Sequence, residues 1–458
     1  MRKVPAHNSI NVMPAQSRVM LLPYTVVKIL TGARADANYE GKRDVVAVNW
    51  SDTKELMHVD DFRLAKKVAD ALWKEYVEEK GMLSTVLTLP TGMYLHRIAQ
   101  ERIKRRVDKT CAGKKTAILI KDKSGCGYWR MVVPARYMDE EKYHLECAEV
   151  EVVYDYLLEY DTIVVQRVHN WAEFYVIEKL KRAGKRVVYD IDDDIFNIPP
   201  DNPASQIILP DHQGAARAIM NVADLITTPS EVIRERFGFP DKTVVIPNAL
   251  DLDDGYPVLS GDDAEDLDKI SSPDEWRRIL WQGSPTHAQD WFECAQAVDQ
   301  VMEMNDDVRL TILGFLPPVV QSFVEDESRP WWSARVEFEP FSEVETYIQT
   351  TKHLRAEVAL APLTDHPFNA AKSALKFVEY SAVGAPCVAS NVTPYKEVMR
   401  DGENGRLAST PAEWLECIQM LLDSGSERVN MVREARKTVR EGYDIKKVAK
   451  QWERAIFG

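Results

Sequence analysis

The pattern of hydrophobic and polar positions changes near residue 115. From there, short apolar runs alternate with amphipathic segments, which is typical of strands and helices in turn. In the first half we predict strands over residues 116–120, 161–166, 186–190, 225–228 and 244–248, and helices over 171–183 and 213–223. In the second half we predict strands over 278–282, 309–313, 336–338, 358–361 and 386–390, with a helix ending near residue 304. Such alternation predicts an α/β fold with two doubly wound, Rossmann-like domains.

Composition between and beyond these two sets predicts the domain boundaries. Residues 252–275 are rich in Asp, Ser, Gly and Pro, and we interpret them as the linker. Residues 1–112 are predicted to form an N-terminal α+β extension of unknown role, with β-like runs at 17–30 and 44–50 and a helix over 61–79. The predicted domains are 1–112, 113–255, 256–440 and a final segment, 441–458, whose helix covers 445–457.

Composition also limits the classes of protein to which the chain can belong. A chain of 458 residues with 45% hydrophobic and 28% charged content is typical of a soluble protein with more than one domain. It has no apolar run near the ~20 residues that span a bilayer, and its N-terminus does not resemble a secretory signal. Six scattered cysteines with no Cys-x-x-Cys pair favour a reducing compartment and argue against structural zinc. We therefore expect a cytoplasmic protein.

The charge distribution leaves two interpretations of one segment open. The net charge of −14 argues against wholesale nucleic-acid binding. Residues 97–123, however, form a basic patch with ten Lys or Arg and three acidic residues. A solvated charged face is the ordinary interpretation of such a patch. The alternative is a surface that binds an anionic polymer or an anionic membrane surface.

Residues 368–390 carry the most informative pattern in the chain. Lys372, Lys376 and Glu379 stand at positions i, i+4 and i+7, which predicts that they share one face of one helix. Gly384 is predicted to end that helix. Two lysines near a helix start suit a diphosphate, and a carboxylate can accept hydrogen bonds from two neighbouring hydroxyls. The alternative is a surface helix with a lysine pair and no ligand.

Two further segments of the second half offer ligand-binding groups. Gly283, Ser284 and His287 follow the predicted strand 278–282, where the free amides of a turn and helix start can hold an anion. Asp365 and Asn369 lie in the loop that leads into the lysine segment and can bind sugar hydroxyls. His287 is equally interpreted as an exposed helix-start histidine, and Asn369 as an ordinary capping residue.

The first half concentrates carboxylates after the strand 186–190. Asp190, Asp192 and Asp193 are compatible with a Mg²⁺ site, with a phosphotransfer motif of the haloacid-dehalogenase type, or with a cleft wall that orients hydroxyls. The second alternative needs Thr or Val where Asp194 stands. Gly127, in a Gly-rich turn, and Arg167 follow neighbouring strands, so we expect both near the same sheet edge. Arg167 is a candidate phosphate or acceptor contact, or a plain surface arginine.

These motifs resemble the GT-B glycosyltransferases, specifically the retaining, nucleotide-sugar-dependent group 1 (family 4-like), including bacterial and phage members. The resemblance covers about residues 115–458 and rests on Glu379 with Gly384 and Pro386, on the Gly283 to Asp290 motif, and on Asn248 near the hinge. Ala371 stands where the group often has a first glutamate. This chain instead shows a Lys-Ser-x-x-Lys-x-x-Glu variant, from Lys372 to Glu379.

The resemblance implies an enzyme that moves a hexose from a UDP- or GDP-sugar, such as UDP-glucose, to an acceptor hydroxyl with retention. It implies two domains facing across a cleft, with no cofactor and no metal required. Lys372, Ser373 and Lys376 would bind the donor diphosphate and stabilise it as it leaves. Glu379 would hold the ribose, and Asp192 or Asp193 would orient the acceptor.

The acceptor stays open at this point. A glycan, a lipid-linked saccharide and a protein are all compatible with the sequence. The alternative of a phage-type enzyme that glycosylates hydroxymethylated bases in DNA is favoured by the basic patch 97–123. A third alternative is a non-catalytic nucleotide-sugar-binding or scaffold protein, because the first glutamate is missing.

Overall fold

The computed structural model describes residues 25–31, 43–49, 86–87, 115–123, 125–253, 256, 270 and 276–458. Three strands belong to the N-terminal unit: β1 (Thr25–Thr31), β2 (Arg43–Asn49) and β3 (Val86–Leu87). They pair antiparallel in the order β2-β1-β3. The predicted helix over 61–79 and residues 97–114 of the basic patch lie outside the described residues.

A six-stranded parallel sheet forms the first half of the larger unit. Its strands are β4 (Thr116–Ile120), β5 (Tyr143–Cys147), β6 (Thr162–Gln166), β7 (Arg186–Asp190), β8 (Leu225–Thr228) and β9 (Thr243–Val245), in the order β5-β4-β6-β7-β8-β9. The helices between residues 115 and 253 are α1 (Val133–Ala135), α2 (Tyr154–Leu157), α3 (Trp171–Arg182), α4 (Pro210–Val222) and α5 (Glu231–Phe237). A π-helix, Tyr128–Val132, precedes α1.

A second six-stranded parallel sheet forms the other half. Its strands are β10 (Arg277–Gly283), β11 (Val308–Gly314), β12 (Val336–Pro340), β13 (Val358–Ala361), β14 (Cys387–Ser390) and β15 (Arg406–Ala408), in the order β12-β11-β10-β13-β14-β15. The helices of this half and of the chain end are α6 (Ala295–Met304), α7 (Pro318–Glu325), α8 (Pro330–Arg335), α9 (Val344–His353), α10 (Pro367–Ala370), α11 (Leu375–Val383), α12 (Thr393–Lys396), α13 (Pro411–Asp423), α14 (Gly425–Gly442) and α15 (Ile445–Phe457).

The two sheets confirm the predicted α/β fold with two Rossmann-like domains. The predicted strands 116–120, 186–190, 225–228 and 358–361 coincide with β4, β7, β8 and β13. The edge strand β5 was not predicted, because its sequence, YHLEC, lacks the continuous apolar run of a strand buried on both faces. The predicted helix that ends near residue 304 starts later than expected from a cap at Ser284: two short 3₁₀ turns, Pro285–His287 and Asp290–Glu293, precede α6.

The order of the strands places one crevice in each sheet. In the first sheet the chain leaves β4 towards β5 and leaves β6 towards β7, in opposite directions, so a crevice opens beyond the carboxyl ends of β4 and β6. The second sheet has the same feature between β10 and β13. Cys126 and Arg167 follow the first pair of strands, and Ser284 and Leu363 follow the second pair. Ligands of doubly wound sheets bind at such points.

The last helix, α15, packs on the first sheet although it follows the second in the chain. The Arg186 guanidinium donates to the carbonyl oxygens of Ala455 and Ile456, both at 2.7 Å. Trp452 is buried and lies under the Arg130 guanidinium, 4.7 Å from the ring centroid. Among the residues that the structure describes, no helix is both long enough and apolar enough to cross a bilayer.

Candidate active site

A cavity of about 680 Å³ lies between the two parallel sheets. It is lined by residues that follow the crevice strands of both halves, including Cys126 and Arg167 of the first and Gly283, Ser284 and Leu363 of the second. Its volume is in the range of sites that hold a small molecule or cofactor. The loops that follow the crevice strands of both sheets therefore meet in one cavity.

Two lysines form the cationic corner of this cavity. Lys372 and Lys376 both line it, with Lys372 Nζ 4.7 Å from the centroid of the Phe368 ring and Lys376 Nζ 5.9 Å from that of Trp281. No side chain caps the start of α11 at Ala374, so its first amides remain available to an anion. Burial lowers the pKa of Lys376 to about 8. An anion here would relieve the cost of keeping that ammonium charged.

Lys372 does not belong to the helix that carries Lys376 and Glu379. The prediction that all three share one helical face is wrong, because α10 ends at Ala370 and α11 begins at Leu375. The carbonyl oxygen of Ala371, which would accept from the Leu375 amide in a continuous helix, accepts the Ser230 hydroxyl at 2.8 Å instead. Lys372 therefore projects from a turn, yet all three charged residues still line the same cavity.

Further contacts hold this turn to the first sheet domain. Asn248 Nδ2 donates to Ser373 Oγ at 3.1 Å, and the Arg236 guanidinium donates to the Pro367 carbonyl oxygen. Ser373 lines the cavity beside Lys372. Hydrogen bonds from the first half of the larger unit thus position the lysine turn, which belongs to the second half.

His287 lies on the cavity wall with its ring orientation fixed by Asp290. Its Nδ1 is 2.7 Å from Asp290 Oδ2, and burial lowers the pKa of His287 to about 3, with Lys376 adding to the effect. The imidazole is therefore neutral near pH 7. The His287 hydrogen bond also lowers the pKa of Asp290 despite burial of that carboxylate. An ionised Asp290 requires the proton on Nδ1, which leaves Nε2 of His287 as a hydrogen-bond acceptor.

Two glycines keep the floor of the cavity open beside this histidine. A Cβ on Gly283 would lie 2.5 Å from Cζ2 of Trp281, and a Cβ on Gly314 would lie 2.6 Å from the carbonyl oxygen of Gly283. Gly314 also has a φ of +96°, which side-chain-bearing residues rarely adopt. Ser284 lines the same region, where its hydroxyl pairs with Thr286 at 2.7 Å.

Glu379 is buried on the cavity wall and accepts hydrogen bonds from protein donors that the sequence did not indicate. Its Oε1 accepts the hydroxyls of Tyr256 at 2.8 Å and Tyr347 at 3.3 Å, and its Oε2 accepts the Gln282 amide at 2.8 Å. Burial raises the pKa of Glu379 to about 7, although these three donors oppose the effect. Its charge state therefore changes close to neutral pH.

The four carboxylates at the end of β7 and just after it face different partners. Asp190 is buried and pairs with Arg130, Nη2 to Oδ1, at 2.7 Å, and it also accepts the Thr227 hydroxyl at 2.8 Å. Asp194 is buried and pairs with Arg236 at 3.0 Å. These two carboxylates hold the structure together and are not on the cavity wall. Only Asp192 and Asp193 line it.

Arg167 stands between the two wall carboxylates. Its Nε is 3.5 Å from Asp192 Oδ1, and its Nη2 is 3.7 Å from Asp193 Oδ2. Its φ of 55° is left-handed, a conformation that residues other than glycine adopt mainly at constrained or functional positions. Burial raises the pKa of Asp192, while Arg167 opposes this. The trio presents both hydrogen-bond donors and acceptors to the cavity.

The same cluster has the spacing of a metal site but not its charge balance. Ligand atoms of Cys126, Asp192 and Asp193 lie within 4.8 Å of one another. Burial raises the pKa of the Cys126 thiol well above its ordinary value, and the negative charge of Asp192 is the second cause. Arg167 already supplies the positive charge that these carboxylates require. The arrangement suits hydroxyl binding better than a resident cation.

Three of the predicted site residues are not on the cavity wall. Asp365 is exposed on its loop. Asn369 is buried and donates to Asp290 Oδ1 and to the Thr364 carbonyl oxygen, both at 3.0 Å, so it supports the His287 pair from behind. Gly127 lies against the Asp122 carbonyl oxygen, 2.0 Å from where its Cβ would be, so it permits the turn but does not line this cavity.

The described part of the basic patch contains Lys115, Lys121 and Lys123, and the charge of Lys121 is already used. Lys121 donates to Glu173 at 2.6 Å and also pairs with Glu149. Its ammonium is mostly buried between those carboxylates and is not offered to an external anion.

Sequence reasoning missed several residues that shape the site. Gln282, Tyr347 and Arg130 line the cavity, as does Phe341, which is 73% exposed at its edge. Gln282 carried a detectable signal, since it precedes Gly283 at the end of a crevice strand. Tyr347 carried none, because its partner Glu379 is 32 positions away on another helix.

Comparisons with known proteins agree with this architecture. Residues 277–424 match the family model described as Glycosyl transferases group 1. The structure of HepE from Anabaena in complex with UDP is 15% identical, with a TM-score of 0.55, and the match covers 75% of this chain and 100% of HepE. A comparison with curated proteins finds no match.

Two other solved structures share the fold at similarly low sequence identity. Sucrose-phosphate synthase from Thermosynechococcus elongatus is 15% identical with a TM-score of 0.53, over 74% of this chain and 98% of that one. A glycosyltransferase from Rickettsia africae is 13% identical with a TM-score of 0.51, over 75% and 99%. The family match identifies residues 277–424 as a group 1 glycosyltransferase domain, and the two-domain architecture shared with these structures confirms the predicted GT-B fold.

Proposed function

We propose that the chain binds a nucleotide-diphosphate hexose in the cavity and transfers the hexose, with retention, to an acceptor hydroxyl. One observation carries the proposal. Lys372, Lys376, the uncapped start of α11 and the buried carboxylate of Glu379 converge on one wall of a cavity of about 680 Å³. Cations and free amides suit a diphosphate, and a carboxylate suits a ribose. HepE, which shares the fold, has been crystallised with UDP and with UDP-glucose.

The donor would lie along the second sheet domain. Its diphosphate would contact Lys372, Ser373 and Lys376, and its ribose would reach Glu379. The neutral His287, with Nε2 as an acceptor, suits a hexose hydroxyl better than a phosphate oxygen. Gly283 and Gly314 line the cavity without side chains of their own, which would let the ligand approach their backbone closely.

The residues of this wall would act mainly on the leaving group. As the bond between the sugar and the diphosphate breaks, negative charge grows on the phosphate oxygens, and Lys372, Lys376 and the helix amides stabilise it. The acceptor hydroxyl would attack from the same face, and its proton would pass to the leaving phosphate. Retention of the anomeric configuration follows from attack on that face. No cofactor enters this scheme.

The opposite wall would bind the acceptor. Asp192 and Asp193 accept hydrogen bonds and Arg167 donates them, so the trio can orient a polyhydroxylated acceptor. We propose a glycan, a lipid-linked saccharide or a protein. DNA with hydroxymethylated bases is the alternative acceptor, and it needs a separate assay. It depends on the basic patch 97–123, of which the described Lys121 is already paired.

The first experiment measures binding and turnover. Calorimetric titration of the full chain with UDP, GDP, ADP and UDP-glucose identifies the nucleotide, and the release of free nucleotide from its sugar form measures turnover. We expect micromolar binding of one nucleotide and slow hydrolysis without acceptor. No binding of any of these nucleotides would refute the proposed function. Binding with no hydrolysis, and no transfer to any glycan, lipid-linked, protein or modified-DNA acceptor, would favour the non-catalytic alternative.

Lys372→Ala tests the catalytic part of the proposal. Removing the ammonium that faces the leaving diphosphate is expected to abolish measurable turnover. Lys396→Ala is the matched control, because Lys396 is an exposed lysine at the end of α12 and does not line the cavity. Normal turnover of the Lys372 variant would rule out its role on the phosphate. Nuclear magnetic resonance of the first product formed tests retention.

A further inference from the structure

Gln282 is a buried polar residue whose side-chain hydrogen-bonding capacity is only partly used. It lies near the end of β10, and its side chain is 3% exposed and lines the cavity. Its Nε2 donates to Glu379 Oε2 at 2.8 Å, while its carbonyl oxygen, Oε1, is buried and has no hydrogen-bond partner in the described structure. Most buried side-chain polar atoms in proteins have a partner, so an unpaired acceptor on a cavity wall indicates a missing donor.

The orientation of this amide follows from its neighbour. If the amide were turned over beside the ionised Glu379, Oε1 would face a carboxylate oxygen, and two acceptors would meet without a proton between them. The nitrogen therefore faces Glu379. The backbone is equally constrained, because the Gln282 amide donates to the Tyr380 hydroxyl at 3.1 Å. The free carbonyl oxygen is left beside the carboxylate.

Glu379 alone has little capacity left for a diol. Its Oε1 already accepts from Tyr256 and Tyr347, and its Oε2 accepts from Gln282. A carboxylate has about four acceptor positions, so one remains, on Oε2. A vicinal diol brings two donor protons. The second needs another acceptor next to Oε2, and Gln282 Oε1 is the buried, unpaired oxygen on that side.

We propose that the nucleotide ribose is read by two residues, with one hydroxyl donating to Glu379 Oε2 and its neighbour donating to the carbonyl oxygen of Gln282. The inference rests on the proposed function and deepens it, because it assigns a specificity-determining contact to a residue outside the predicted motif. The free acceptor on Gln282 is then satisfied only when a ribonucleotide is bound. Nucleotides lacking that hydroxyl leave it unpaired and bind more weakly.

The test is a cycle of two changes, one in the protein and one in the ligand. UDP, 2′-deoxy-UDP and 3′-deoxy-UDP are titrated calorimetrically into the wild type, into Gln282→Met, and into Gln321→Met as an exposed glutamine control. The same three forms of GDP are used if the nucleotide screen selects GDP. For the wild type we expect the loss of the hydroxyl read by Gln282 to weaken binding about threefold to tenfold, and the loss of the other, read by a carboxylate, about tenfold or more.

In Gln282→Met the penalty for one deoxy form should disappear while the penalty for the other persists. Gln321→Met should reproduce both wild-type penalties. If both penalties persist in Gln282→Met, Gln282 does not contact the ribose. If both vanish together, Gln282 acts only by holding Glu379, and the inference is also overturned.

Two further outcomes keep the inference testable on the wild type alone. Equal binding of UDP and both deoxy forms by the wild type overturns it even if Gln282→Met fails to fold. Absence of any nucleotide binding overturns the proposed function, and the inference with it, so the two failures are distinct.

Discussion

Lys376→Met should make the protein more stable and at the same time weaken its binding of nucleotide. Burial lowers the pKa of Lys376 from 10.5 to about 8, so in the ligand-free protein the ammonium is held against a desolvation cost. The difference between these two pKa values corresponds to about 3 kcal/mol. Because the side chain keeps part of its exposure to the open cavity, we expect the variant to recover about 1–3 kcal/mol near pH 7.

The sign of this effect depends on pH. A folded-state pKa below the unfolded value means that the folded protein releases its proton first, so the wild type gains stability as pH rises from about 8 to about 10.5. The advantage of Lys376→Met over the wild type is therefore largest below pH 8 and shrinks above it. Thermal unfolding at pH 7 and pH 9.5 measures the difference.

The cost appears in ligand binding. A hydrogen bond from a charged group contributes about 1.5–3 kcal/mol, so the loss of Lys376 should weaken nucleotide diphosphate binding by about tenfold to 150-fold. Titration calorimetry measures this, with Lys396→Met as a control that changes neither quantity. If Lys376→Met lowered the unfolding temperature and bound nucleotide as the wild type does, the assignment of Lys376 as a buried phosphate-binding cation would be refuted.

Two further predictions follow from other buried groups. Burial raises the pKa of Glu379 to about 7 and lowers that of Lys376 to about 8, so nucleotide affinity should peak between these values. It should fall about tenfold by pH 6, as Glu379 takes up a proton and ceases to be a full acceptor; an affinity that is flat from pH 5.5 to 7.5 would contradict this role of the carboxylate. Arg130→Met should lower the free energy of unfolding by about 3–5 kcal/mol, because it leaves Asp190 buried without its cation. Denaturant unfolding checks this, and the double variant Arg130→Met with Asp190→Asn should recover part of the loss; a single variant as stable as the wild type would show that the pair contributes nothing.

The main features of the fold could be predicted from local patterns. Strands such as β4 and β7 are continuous apolar runs between turn residues, and a parallel strand buried on both faces needs such a run. Helix α15 was predicted at its observed bounds because its apolar positions recur with helical spacing. The edge strands β5 and β15 were missed, since an edge strand is not covered on every side and its sequence is not uniformly apolar.

For the candidate site, the sequence could predict most of the residues that line the cavity but not how their side chains are arranged. Lys372, Lys376, Glu379, Gly283, Ser284, His287 and Ser373 all line the cavity, as do Asp192, Asp193 and Arg167 of the other half. Asp365 and Asn369 were proposed from their position in a loop, and that position does not report where a side chain points. Asn369 instead supports Asp290, a partner that lies 79 positions away in the chain.

The chain's own pattern was enough for the two alternating halves, for the crevices at their strand ends, and for the cluster of charged residues over 372–379 that lines the cavity. Those features depend on spacing over a few residues, which hydrophobic periodicity and glycine positions report directly. The break before α11 depends instead on Ser230, 141 positions from the carbonyl oxygen of Ala371 that it binds. The three donors to Glu379 and the arginine partners of Asp190, Asp192 and Asp194 likewise come from distant segments. Folding brings these groups together, and burial then sets their charge states, so the tertiary structure was needed to establish which carboxylates hold the protein together and which face the cavity.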